Sequence, residues 1–275
     1  MMSAAPEDDP KTVLTNQHIR VKSCRYGPMA YNIGDTYIGR SFDLYGEYVE
    51  EESRMLDQLL RPGMIALDIG ANIGAHTIFM TKKVSPGGLV VAFEPQREIF
   101  QLLCANVALN ALHNVHTHHA ALGAELGEII VPFIDYEKGG NFGGLTLGNH
   151  DKGETVPCRT IDDMKLRRCD VMKIDVEGME NEVIIGATQS IEKYRPALYI
   201  ENDRRERSEE LLTRLFDLNY RIFWHLPRLY NPANFFENHD NEFGNLISRN
   251  ILCIPKERNI SIEKMQEITD PAEDF

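Results

Sequence analysis

The sequence predicts an α/β protein built on an open, mostly parallel sheet, and three observations lead there. From Met64 onward, short apolar runs of strand length alternate with segments of helical periodicity. The first run, Met64-Ile65-Ala66-Leu67, stops at Asp68 and a turn, Gly70-Ala-Asn72-Ile-Gly74, then passes into a helix. The second, Leu89 to Phe93, ends on another acid, Glu94, with Pro95 beside it. Acids and glycines at the carboxyl ends of neighbouring strands mark the edge where open α/β sheets hold ligands.

Taken in order, residues 1–17 are polar and acidic and read as a flexible leader. Residues 18–61 form a second unit. The alternation in Ile19-Arg-Val-Lys, Met29-Ala-Tyr-Asn-Ile and Tyr37-Ile-Gly-Arg-Ser-Phe predicts a small antiparallel β-layer, with turns at Gly27-Pro28 and Gly34-Asp35. Tyr48 to Leu60 predicts a helix with Met55, Leu56, Leu59 and Leu60 on one face, stopped by Arg61-Pro-Gly. Residues 62–256 carry the sheet, with strands at 64–68, 89–93, 114–118, around 128–134, 171–174, 197–200, 220–225 and 250–254. Helices fall at 74–83, 96–109, 161–166 behind the cap Thr160, 179–193 and 207–218. Gly139 to Gly144 predicts a mobile surface loop, and the loop 226–247 is too long for a hairpin turn and so reads as functional. The polar tail, 257–275, is expected to fray.

Composition narrows the partners. A hydrophobic share of 43% and a charged share of 26% suit an ordinary globular chain. No apolar stretch approaches the ~20 residues of a membrane span. Cys24, Cys104, Cys158, Cys169 and Cys253 are scattered and odd in number, which predicts reduced thiols and a cytoplasmic location. The net charge of −13 is spread along the chain, and the basic clusters Arg167-Arg168 and Arg204-Arg205 are short. Bulk DNA or RNA needs a positive face to displace counterions, so it is excluded as an expected partner.

The glycine turn discriminates between ligands. A dinucleotide site wants G-x-G-x-x-G with a pyrophosphate on the helix N-terminus. Here Asn72 replaces the middle glycine, and Asp68 would repel a pyrophosphate while suiting an ammonium. With Glu94 placed for ribose hydroxyls, the pattern favours S-adenosylmethionine over NAD.

A third acidic strand end follows in Asp170-Val-Met-Lys-Ile-Asp175-Val-Glu177-Gly-Met-Glu180. Asp68, Glu94 and Asp175 should converge on one cleft, with Glu201 at the end of the next strand. A neutral alcohol is a poor nucleophile, so Asp175, Glu177 and Glu201 are the catalytic candidates for activating one. His76, His225 and His239 are lesser candidates, and His76, between apolar neighbours in the first helix, reads first as structural. His113, His116, His118 and His119 cluster, but nothing beside them completes a ligand set, so no metal is expected. His119 is placed beside an adenine. The loop residues Tyr230, Asn234, Phe235 and His239 mix rings and amides in a way that suits a sugar acceptor. Trp224 reads as core.

DIGANIGAHT, AFEPQREIFQLLCANVALN, CRTIDD, VMKIDVEGMENEVIIGA and RPALYIEN together resemble the FkbM family of S-adenosylmethionine-dependent methyltransferases. The resemblance spans roughly residues 29–256, including Asp43-Leu-Tyr-Gly-Glu47-Tyr and Ser248-Arg-Asn250-Ile-Leu-Cys-Ile-Pro255. It implies a class I methyltransferase fold: a Rossmann-like, seven-stranded sheet, mostly parallel, with an antiparallel last pair. It also implies that Gly70, Asn72, Gly74, Glu94, Ala120 and Asp175 line the cofactor, with Glu47 and Tyr48 closing over its methionine end. Family members mostly methylate hydroxyls of natural products and glycans, and some act on peptide amides. The expectation is therefore O-methylation of a sugar or small natural product, with N-methylation of a peptide amide or amine as the alternative. A catalytically silent cofactor-binding scaffold is a third reading, against which the intact Asp175 and Glu177 speak. The N-terminal layer leaves open whether it meets substrate or a second copy of the chain.

Overall fold

The computed structural model describes residues 9–148 and 150–273 and begins with three short strands. These strands, β1 (Thr12–Thr15), β2 (Ile19–Cys24) and β3 (Gly27–Asn32), form an antiparallel sheet in that order. Residues 1–8 of the expected leader lie outside the described residues, and the rest of it is not a free leader: Thr12, Leu14 and Thr15 pair with Lys22, Val21 and Arg20. Two helices follow, α1 (Ile38–Tyr45) and α2 (Glu50–Leu59). The segment at 37–42 was expected to be a strand. Ile38, Phe42 and Tyr45 recur instead at helical spacing and are buried together, so packing of that face decides in favour of helix.

The chain then alternates β4 (Ile65–Ile69), α3 (Ala75–Val84), β5 (Leu89–Phe93), α4 (Arg97–Leu109) and β6 (Val115–His118). Next come β7 (Ala121–Leu122), β8 (Gly127–Val131) and β9 (Glu154–Arg159), which make a separate three-stranded sheet, and a 3-10 turn at Asp162–Met164. The remaining elements are β10 (Val171–Ile174), α5 (Glu180–Ile185), α6 (Thr188–Tyr194), β11 (Ala197–Glu201), α7 (Arg205–Asp217), β12 (Tyr220–His225), β13 (Asn250–Pro255) and β14 (Glu267–Ile268).

The main sheet has the order β14-β12-β13-β11-β10-β4-β5-β6. Strands β6, β5, β4, β10 and β11 run parallel, and β13 runs antiparallel to both β11 and β12. Seven of these strands make the class I methyltransferase sheet. The eighth, β14, comes from the tail expected to fray. It pairs with β12, and Ile268 is buried against the sheet, so burial of one apolar side chain docks what polarity would have left loose.

Alternate strand residues serve opposite faces. Leu67, Ile69, Met172 and Ile174 pack with Val183, Ile191, Leu211 and Leu215 of α5 to α7. Ala66, Val90, Val171 and Tyr199 pack with Leu56 of α2 and Phe79, Met80 and Val84 of α3. The chain builds outward from β4 in one direction and from β10 in the other, so the topological switch lies between these two strands, beside the glycine turn. The N-terminal layer is bonded to that turn. Asn106 of α4, fully buried, accepts from the Ala30 amide and donates to the carbonyls of Ala30 and Ile73. No helix among the described residues is long and apolar enough to cross a membrane.

Candidate active site

A cleft of about 350 Å³ opens outside the carboxyl ends of β4, β5, β10 and β11. Its geometry starts from the turn after β4. Gly70 has φ +78° and packs under the end of β10, and Gly74, at φ +90°, starts α3 beside Leu103. Asn72 also adopts a left-handed conformation, φ +50°, which asparagine tolerates better than most side chains.

Glu94 closes one end of the cleft. The Asn72 amide donates to its Oε2 at 2.9 Å and the Gln96 amide to its Oε1 at 2.8 Å, which aims the carboxylate across the turn. Burial pushes its pKa up to about 7, the two amide bonds opposing that rise and Asp175 and Asp68 adding to it. Pro95 and Gln96 line the same end. Ala120 lines a small apolar niche behind Pro95 and Gly70, next to this end. His119 does not line the cleft: its ring stacks on Phe100 and its Nε2 lies 3.0 Å from the Pro95 carbonyl, so it braces the strand end.

The floor is acidic with its cations committed. Asp68 is fully buried and takes the Thr77 hydroxyl at 2.6 Å, so it supports the floor from below and lies outside the cleft lining. Lys173, which sequence reasoning left without a role, lies 3.0 Å from Asp175 Oδ2 and 3.8 Å from Asp68 Oδ1. Its burial works against the charge, but Asp175, Asp68 and Glu52 overcome it and hold the ammonium protonated. Alternation could have found it, since Lys173 is the one charged residue within the run β10.

At the other end, His76 Nε2 lies 3.1 Å from Glu52 Oε2, and both side chains are buried. Tyr48 tilts over the His76 ring. Burial would raise Glu52, yet His76 and Lys173 hold it down to about 2. His76, read first as structural, thus lines the cleft with Tyr48.

On the outer wall stand Asp175, Glu177 and Glu201 together. Arg204 donates to Glu177 Oε2 at 2.6 Å. Burial first, then the Asp175 charge, pushes Glu177 up to about 8, and burial with Asp175 and Glu177 pushes Glu201 well above the carboxylate range. Glu180 accepts from the amides of Val176 and Gly178, so it caps this turn.

Three expectations are corrected here. Glu47 lies outside the cleft: it pairs with Arg25 at 2.6 Å and accepts from the Asn231 side chain and the Phe235 amide, anchoring the loop 226–247. Tyr230, Asn234, Phe235 and His239 do not line the cleft either. Asn234 is buried in bonds to its own loop, the Tyr230 ring meets Tyr45 edge-on, and Phe235 and His239 are exposed elsewhere. From that region the cleft takes Leu229, Leu246, Ile247 and Ser248 instead. The glycine-rich segment is no free loop: Phe142 is buried and its carbonyl accepts from the Gln96 side chain, which brings Gly143 and Gly144 over the cleft.

The family model for the methyltransferase FkbM domain matches residues 68–222. Methyltransferase 1 of Beauveria bassiana is 28% identical across 44% of this chain and 57% of its own length. The AMB antimetabolite synthetase AmbE of Pseudomonas aeruginosa is 25% identical across 65% of this chain and 10% of its own length. The chain therefore spans less than two thirds of these relatives. A crystal structure of a methyltransferase FkbM from Methylobacillus flagellatus KT aligns at TM-score 0.49 and 18% identity, covering 73% of this chain and 50% of that one.

Proposed function

This chain belongs to the methyltransferase FkbM family, and on that premise we propose that it uses S-adenosylmethionine to methylate a hydroxyl of a small natural product. The observation that carries the reading is the charge of the cleft. Glu94 is held at one end of the cleft by the Asn72 and Gln96 amides, while Lys173 and Arg204 are each matched to a carboxylate. A pyrophosphate would find no uncommitted cation among the described lining residues. A sulfonium nucleoside, with a net positive charge, suits the acidic floor. Bound there, it would supply the methyl group.

Glu94 would accept from the ribose hydroxyls, and Tyr48 and His76 would border the methionine end. Asp175, at the switch between β4 and β10, would orient the acceptor hydroxyl or take its proton as the new carbon–oxygen bond forms. Leu229, Leu246 and Ile247 frame the outer mouth, which supports an apolar molecule bearing the hydroxyl over a free sugar. A relative named as an antimetabolite synthetase fits the same class. An amine acceptor is the second reading, because Asp175, Glu177 and Glu201 on one wall would also hold a cation.

The test is calorimetry followed by mass spectrometry. S-adenosylhomocysteine should bind where NADH does not, and an acceptor pool incubated with the full chain should yield a product heavier by one methyl. Binding of NADH in place of S-adenosylhomocysteine would overturn the reading.

A further inference from the structure

We propose that Asp175, Glu177 and Glu201 bind one divalent cation of the oxygen-preferring kind, magnesium, calcium or manganese, on the acceptor side of the cleft. One carboxylate oxygen from each of the three lies within 4.8 Å of the others. Oxygen donors around calcium lie roughly 2.3–2.6 Å from the ion, so small side-chain rotations would draw this set into one coordination shell. Lys173 engages one oxygen of Asp175 and Arg204 one oxygen of Glu177, and each carboxylate has a second.

The independent sign of a missing ligand is Glu201. Its Oε2 is shut off from solvent and has no hydrogen-bond partner, although Glu201 stands beside the other two acids. An unmatched buried carboxylate oxygen is costly, and a cation at this point would satisfy it. An all-oxygen donor set favours hard cations over zinc or copper.

The consequence for substrate rests on the methyl-transfer reading. An ion held here would take the acceptor hydroxyl as a ligand and lower its pKa, a task otherwise left to a carboxylate. Remaining coordination positions suit a second substrate oxygen, so the acceptor class is a hydroxyl with an adjacent hydroxyl or carbonyl.

The experiment titrates calcium chloride, and separately magnesium chloride, into the chelator-treated full chain by calorimetry, with no cofactor or acceptor present. One site with a Kd below about 1 mM is expected. Glu201→Gln and Glu177→Gln should each bind at least about tenfold more weakly while retaining a cooperative thermal transition. Absence of a saturable site in the parent, or parent-like affinity in both folded variants, overturns the proposal. A parent that binds calcium but not S-adenosylhomocysteine keeps the ion site and removes the methyl-transfer reading, so the two failures are distinguishable.

Discussion

A Cβ added to Gly70 would lie 1.7 Å from the carbonyl oxygen of Asp175, far inside contact distance. The turn after β4 is therefore the seat for the end of β10, and the two strand ends that form the cleft floor are fitted to each other through a missing side chain. Gly70→Ala would meet both that overlap and a backbone at φ +78°. It should cost on the order of 3 kcal/mol, measured as a fall in urea midpoint. A variant as stable as the parent would show that the strand ends are not in this contact.

Glu94 is raised by burial to about 7 from an ordinary 4.5. Between those values the folded chain holds a proton that the unfolded chain has released. Its contribution to stability is thus present below pH 4.5 and lost as pH rises through 7. Relative to the parent, Glu94→Ala should gain roughly 2–3 kcal/mol between pH 4 and 8, read from paired urea melts.

The same carboxylate must be ionised to accept from two ribose hydroxyls. S-adenosylhomocysteine should therefore bind more tightly to the parent at pH 8 than at pH 6. Glu94→Ala should weaken binding at pH 8 by about 1–3 kcal/mol and flatten the pH dependence. Calorimetry at both pH values checks this, and equal affinity of parent and variant would move the ribose elsewhere.

Glu52 shifts the other way, held down to about 2 by His76 and Lys173 in spite of its burial. A depressed carboxylate stabilises the fold above its ordinary 4.5, and that stabilisation disappears as pH falls toward 2. Glu52→Gln should lose about 2–3 kcal/mol at pH 7 and show a shallower acid limb than the parent. Superimposable melts at pH 7 would remove Glu52 from the fold's support.

Glu47 anchors the loop 226–247 to the chain before α2 through Arg25, Asn231 and Phe235. Glu47→Ala should speed limited proteolysis within that loop and lower stability by roughly 2–3 kcal/mol. S-adenosylhomocysteine affinity should not change, because Glu47 does not line the cleft. A weaker affinity would return Glu47 to the cofactor set.

The parallel strands and their terminal acids were legible because each strand is buried on both faces and reads as an apolar run ending at a charge. Glu94, Asp175, Glu177 and Glu201 were placed this way. Asp175, two residues on from Lys173, was within reach of alternation, whereas Asp68 lies one strand away and only the pairing of β4 with β10 brings it to Lys173. The α1 segment misled because Ile38 and Phe42, four apart, share a face in either a strand or a helix, and the neighbours to be covered decide between them. The aromatic loop misled for a similar reason: composition names what Tyr230 or Asn234 can bond, whereas their nearest partners turn out to be Tyr45 and the loop's own backbone.

From the amino-acid order alone follow the α/β class, the glycine turn and the row of acids at the strand ends, since these depend on local periodicity and on where a strand stops. Which acids face the cleft, which cations neutralise them and which loop side chains reach the mouth depend on residues far apart in the chain. Those contacts exist only once the sheet has set its strand order, because electrostatic pairing and burial act through space and leave no spacing along the chain to read.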